Sequence, residues 1–208
     1  MNHHVQALES RRLLSAVPVA IFSDISTLQR DAAAFKAGLT QAVPVLMADA
    51  KVIGGDLHSL PPSAQNRALV AKVRSDTARA VATLKADAGM MFRVGGPKIG
   101  KAVTDALHLA SHPTDTTAHA HLAADIATLQ SLDASLSSKF LTDAQNASTL
   151  IGADLSALAA ANPSSTKLQA DVSKTQGDMT TLLAALQSHF QPVQGDFQQL
   201  LSDLGAML

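Results

Sequence analysis

The stretch LQADVSKTQGDMTTLLAALQSHFQPVQGDFQQLLSDLGAM, residues 168–207, decides the fold. Its apolar residues return at alternating steps of three and four, from Leu168 and Val172 through Met179, Leu182 and Leu186 to Phe190, Val193, Phe197, Leu200 and Leu204. Such spacing lays one apolar stripe along a helix of 3.6 residues per turn. Within it Val172, Met179, Leu186, Val193, Leu200 and Met207 fall at strict sevens, which approaches a coiled-coil seam. Working back along the chain, the same stripe runs from Leu122 to Leu158, from Ile21 to Leu60 and, more weakly, from Val70 to Ala110. Nowhere is a period of two sustained long enough to predict a strand.

Three marks separate the stripes: Pro61-Pro62-Ser63, His112-Pro113-Thr114 and Asn162-Pro163-Ser164. Each couples a helix-ending proline with a hydroxyl residue suited to cap the next helix. They predict helices over about 18–60, 63–111, 114–161 and 164–208, each roughly 65–70 Å long at the α-helical rise. Short connections between long helices make neighbours antiparallel. The expected fold is therefore all-α: an elongated antiparallel up-down-up-down four-helix bundle with long, locally kinked helices, a single domain over 17–208. Pro44, Pro192 and Gly95-Gly96-Pro97 interrupt the stripes. The apolar phase survives across the two prolines, which predicts kinks. Gly95-Gly96-Pro97 is the expected true break, and as a turn it would make five helices.

Asp recurs beside the stripes, one residue before an apolar position, at Asp24, Asp56, Asp125, Asp154, Asp178 and Asp196. These carboxylates are expected to be solvated flanks. Residues 63–111 carry eight basic groups against three acids, and residues 114–161 one lysine against five acids. Complementary neighbours of this kind favour pairing of the second and third helices. The basic segment also suits an anionic partner, although no aromatic residue interleaves it to stack on bases.

The 208 residues include 47% apolar and 16% charged ones, with no Cys, Trp or Tyr and a net charge of −1. The lack of Cys removes disulfides, thiolate metal sites and cysteine nucleophiles. The charge balance argues against a general nucleic-acid binder, and no apolar run is long enough for a transmembrane helix.

Residues 1–16 form a polar leader without the apolar core of a secretory signal peptide. The run Leu8-Glu9-Ser10-Arg11-Arg12-Leu13-Leu14, followed by Ser15-Ala16, resembles the LEPR-XLL motif, which sits near the start of many exported and surface-associated bacterial proteins. Leu8, Glu9, Arg11, Leu13 and Leu14 carry the match, and Ser10 stands where the motif has Pro. The resemblance covers residues 8–16 alone. It implies an export or envelope address and no particular activity.

Two constellations bear on chemistry. Gly95 to Lys101 has the Gly-x4-Gly-Lys spacing of a phosphate-binding loop, but Ala102 stands where a Mg²⁺-holding hydroxyl is needed. Neither it nor the Walker-B-like Val45-Leu46-Met47-Ala48-Asp49 has a parallel sheet to follow. His108 and His112 lie one helical turn apart, His119 and His121 begin the next helix, and Asp105 and Asp115 are close in sequence. Four imidazoles around one turn are a candidate site for Zn²⁺, Cu²⁺ or Ni²⁺, although His119 and His121 diverge on a helix. His58 and His189 lie near the stripes with no evident nucleophile, and no Gly-x-Ser-x-Gly elbow occurs.

The expected function is a non-enzymatic, exported or envelope-associated helical protein with a structural or adaptor role and no cofactor. It would act through helix contacts with a protein partner or a second copy. The alternatives are a bundle that binds a lipid or membrane surface, and a metal-binding protein built on His108 to His121.

Overall fold

The computed structural model describes residues 2–56 and 63–208, with side chains described from Pro18 onward. The chain forms four helices, α1 (Asn2–Asp56), α2 (Ala64–Ser111), α3 (Thr116–Ala161) and α4 (Thr166–Gly205), and no strand among the described residues. The fold is all-α, with contacts consistent with a four-helix bundle. Helix α1 starts at Asn2 rather than near residue 18, so the backbone of the expected leader is helical. Pro61, Pro62 and His58 lie outside the described residues.

The caps explain where the helices start. The Asn66 amide donates to Ser63 Oγ at 3.2 Å, as the hydroxyl predicts. Between α2 and α3 the cap is Asp115 and not Thr114: its Oδ1 accepts from the amides of Thr117 and Ala118, each at 3.0 Å. A carboxylate is a better acceptor than a threonine hydroxyl at a positively polarised helix start. The Ala118 amide, with His108 beside it, holds the Asp115 carboxyl below its ordinary pKa. Between α3 and α4 the cap is Ser165, one residue beyond the expected Ser164, accepting from the Leu168 amide at 3.4 Å. The two turns are closed alike, by Asp115 N to His112 O at 3.0 Å and Ser165 N to Asn162 O at 3.2 Å.

Helix α1 continues through Pro44, α2 through Pro97 and α4 through Pro192. The expected break at Gly95-Gly96-Pro97 is thus part of a single helix. Glycine and proline weaken a helix locally, but packing of an apolar face in phase on both sides supplies most helical stability in a folded protein.

The chain divides into two compact units, and every helix contributes a segment to each. Unit 1 comprises Met1–Ala34, Gly89–Ser137 and Phe190–Leu208. Its core is built around Ile21 on α1, Ala102, Ala106 and Leu109 on α2, Leu122 and Leu129 on α3, and Leu200 and Leu204 on α4. Unit 2 comprises Phe35–Ala88 and Ser138–His189. Its core joins Ile53, Val73, Ile151, Leu155, Leu158, Leu168, Val172 and Met179. There Phe35 and Phe140, both 0% exposed, meet edge to face with ring centroids 5.2 Å apart. The His189 ring lies over Gly38, where a Cβ would come within 2.9 Å of it.

Two polar devices lie inside these units. In unit 2, Asn66 and Asn162 are buried and exchange amide hydrogen bonds, Asn66 Nδ2 to Asn162 Oδ1 at 2.9 Å and Asn162 Nδ2 to Asn66 Oδ1 at 3.0 Å. Asn162 Nδ2 also donates to the Leu158 carbonyl at 2.9 Å, so the pair satisfies most of its polar atoms without water.

The second device recurs. A lysine reaches an Asp four residues ahead on its own helix and a second Asp on a neighbouring helix. Lys72 joins Asp76 and Asp154, Lys139 joins Asp143 and Asp87, Lys167 joins Asp171 and Asp56, and Lys174 joins Asp178 and Asp49, all in unit 2. Lys101 joins Asp105 and Asp125 in unit 1. In the four clamps of unit 2 the cross-helix carboxylate is buried, at 5% to 7% exposure. This corrects the expectation of solvated flanks for Asp56 and Asp154. A carboxylate beside an apolar stripe can be buried when a lysine from the facing helix covers it, its alkyl stem on the surface and its ammonium turned inward. Asp125 and Asp178 are half-buried in the same device. All five lysines are pushed above their ordinary pKa by these hydrogen bonds. At Asp56 burial and the adjacent Asp171 outweigh Lys167 and raise its pKa.

Candidate functional site

A cavity of about 230 Å³ lies inside unit 1. All four helices line it: α1 with Ile25, Leu28 and Ala32, α2 with Met91, Gly95 and Ile99, α3 with Leu129, Leu132 and Leu136, and α4 with Phe190, Val193 and Phe197. Its cause is legible in the stripe of α2. Ala88, Met91, Gly95, Ile99 and Ala102 follow one another at steps of three and four, so Gly95 occupies a core-facing position with no side chain. A Cβ added there would meet nothing within 4 Å. Across the cavity α1 presents Ala32 between Leu28 and Phe35 of its own stripe. Protein interiors are otherwise close-packed, so this unfilled space stands out from the rest of the unit 1 core.

The polar part of the lining is Gln29, Asp133, Ser137 and Gln194. Asp133 is the one ionisable group in it, and both its oxygens are engaged: Ser137 Oγ donates to Oδ1 at 2.9 Å and Gln198 Nε2 to Oδ2 at 2.7 Å. No Lys, Arg or His lines the cavity. Exposed Gln29, Phe92 and Gly96 place its open side along α1 and α2. Unit 2 has a void of about 40 Å³ beside Leu84 and Met179, room for about one water.

The histidines expected as metal ligands serve the α2–α3 turn. The rings of His108 and His112 stack at 4.5 Å between centroids. His108 Nε2 lies 3.1 Å from Asp115 Oδ2, His112 Nδ1 lies 3.0 Å from Ser111 Oγ, and His119 Nε2 donates to the Pro113 carbonyl at 3.1 Å. His121 is exposed on α3. Face-to-face stacking does not converge ring nitrogens on one point, and among the described residues no three His, Cys, Asp or Glu are placed to hold a metal ion. Gly95 to Lys101 is helical, so its amides enter the helix ladder rather than a phosphate cradle. The side chains of Leu8, Glu9, Arg11, Leu13 and Leu14 lie outside the described ones.

Unit 1 also holds two acid pairs built like the clamps but without the lysine, the second with Arg30 Nε donating to Asp31 Oδ1 at 2.8 Å. Asp24 faces Asp203, and Asp196 faces Asp31. Four residues before Asp203 stands Gln199, which donates to it at 3.0 Å. Four residues before Asp31 stands Thr27. Burial first and the facing carboxyl second raise the pKa of both Asp24 and Asp196. A raised carboxyl pKa means that the folded state binds the proton more tightly than the unfolded chain. The associated stability is full below the ordinary value near 3.9 and is lost as pH rises through the folded value. Gln199→Lys should therefore supply the missing clamp. We expect it to raise Tm by roughly 2–4 °C at pH 7 and by little at pH 3.5. Thermal melts at the two pH values check this, and an equal gain at both would show that charge is not the cause.

No protein-family model, no curated protein and no solved structure matches the chain.

Proposed function

We propose that the chain is a non-enzymatic helical protein with a structural or adaptor role, exported or associated with a bacterial envelope, which makes its contacts through helix faces. The observation that carries this reading is the exposure of large apolar residues on α1: Val19 and Phe22 in unit 1 and, separately, Val45, Met47 and Val52 in unit 2 are between 46% and 69% exposed, whereas α3 has Leu150 alone among the described residues. Exposed apolar residues on a helix suit contact with a helix from another chain. The export address rests on the match of residues 8–16 to the LEPR-XLL motif.

The bundle in this reading is up-down-up-down and antiparallel, with helices bent locally at their prolines. Support comes from unit 2, where Lys72 pairs with Asp154 and Asp87 with Lys139: the α3 partner moves back along its helix as the α2 residue moves forward. Four-residue connections between α2 and α3 and between α3 and α4 are consistent with it.

Sedimentation of the full chain across roughly 1–100 µM tests the contact helix, a span that brackets weak to moderate self-association. We expect wild type to associate and a V45S/M47S/V52S variant to stay monomeric with unchanged helicity. A monomeric wild type, or a hydrolase or transferase activity mapped to the purified chain, overturns the reading.

A further inference from the structure

We propose that the apolar chamber of unit 1, at the level of Ala32 and Gly95, is a binding site for a neutral, compact apolar molecule of one or two rings. Two observations on the chamber carry this. Its volume is about 230 Å³, and an apolar protein cavity of roughly 150 Å³ already accepts benzene. The larger space fits a fused bicycle, or one ring bearing a short alkyl chain. Its walls are aliphatic and aromatic, with Met91, Phe92 and Phe197 among them. Methionine and aromatic side chains adapt to, and stack on, a flat apolar guest.

The ligand class follows from charge. A fatty-acid carboxylate entering the chamber meets no Lys, Arg or His to neutralise it, and meets Asp133 instead. Desolvating an unpaired charge is strongly unfavourable. Asp133 is already committed to Ser137 and Gln198, so it does not call for a cationic ligand either. A neutral guest needs none of these groups. The missing side chain at Gly95 creates the space, and the exposed Gln29, Phe92 and Gly96 leave one side open for entry.

Naphthalene is the probe, with decanoate as the anionic comparison. Titration calorimetry on the full chain should give saturable one-to-one binding of naphthalene with a Kd on the order of 100 µM or tighter, and at least tenfold weaker binding of decanoate. Gly95→Leu places a side chain in open space, so it should keep the fold and weaken naphthalene at least tenfold. Ala32→Leu fills the same chamber from α1 and should do likewise, which covers the case in which the first variant fails to fold. In wild type with ¹³C-methyl methionine, the Met91 methyl should shift on naphthalene addition while buried Met179 of unit 2 does not. No saturable binding, equal binding by a folded Gly95→Leu or Ala32→Leu chain, or a shift at Met179 without one at Met91 overturns the site. Decanoate binding as tightly as naphthalene overturns the ligand class.

Discussion

Phe140→Ala is expected to lower the unfolding free energy by about 3–5 kcal/mol, a fall in Tm of roughly 6–20 °C for a chain of this size. Phe140 is 0% exposed and meets the equally buried Phe35 edge to face. Truncation removes an aromatic contact and leaves a hole between two long helices whose backbones cannot collapse locally to fill it. Urea unfolding measures the loss. The comparison is Phe22→Ala on the outside of α1, where the side chain is 54% exposed and the expected change is within about 0.5 kcal/mol. A loss below about 1 kcal/mol at Phe140 would mean that this level of unit 2 is not tightly packed.

Lys139→Met is the second large effect. The substitution keeps much of the alkyl stem but leaves Asp87, 5% exposed, and Asp143 facing each other without the ammonium. Breaking a buried pair from one side strands a charge, and we expect Tm at pH 7 to fall by roughly 4–8 °C. Adding Asp87→Asn to Lys139→Met should recover most of it. The pH dependence has a definite sign. Hydrogen bonding to Lys139 is the main cause that holds Asp143 below the ordinary carboxylate range, and Asp143 followed by Asp87 raises Lys139. The contribution from Asp143 is present above about pH 3.9 and lost as pH falls through its lowered value. The contribution from Lys139 is present below about pH 10.4 and lost as pH rises through its raised value. The Lys139→Met defect should therefore be large at pH 7 and shrink near pH 3. A defect of the same size at both would assign it to lost packing of the lysine stem rather than to charge.

The buried carboxylates show why part of the chain was not legible. Asp154 stands beside an apolar stripe, and local sequence makes it a solvated flank. Its burial depends on Lys72, which is 82 residues away in the chain and 2.5 Å away in space. Nothing local to Asp154 carries that information. The retrospective signal is Lys four residues before Asp, which occurs at Lys72, Lys101, Lys139, Lys167 and Lys174 and marks each clamp. At Gly95 local sequence misleads for a related reason. Glycine beside proline reads as a break when propensity is considered alone, yet Gly95 keeps the phase of the α2 stripe and is better understood as a core position lacking its side chain. The histidines were brought close by the turn as the sequence suggests, but the directions of their rings are set by hydrogen bonds to Asp115, Ser111 and Pro113.

The sequence by itself determined the helical class and the position of each described turn to within two residues. Periodicity, proline and capping chemistry are local, acting over one or two helical turns. Only the tertiary structure decided which acids are buried, that α2 continues through Gly95-Gly96-Pro97, and that Ala32 and Gly95 share one level and open a chamber. Each of these depends on the register between helices distant in the chain. That register is set by the packing of all four stripes together, and no single segment contains it.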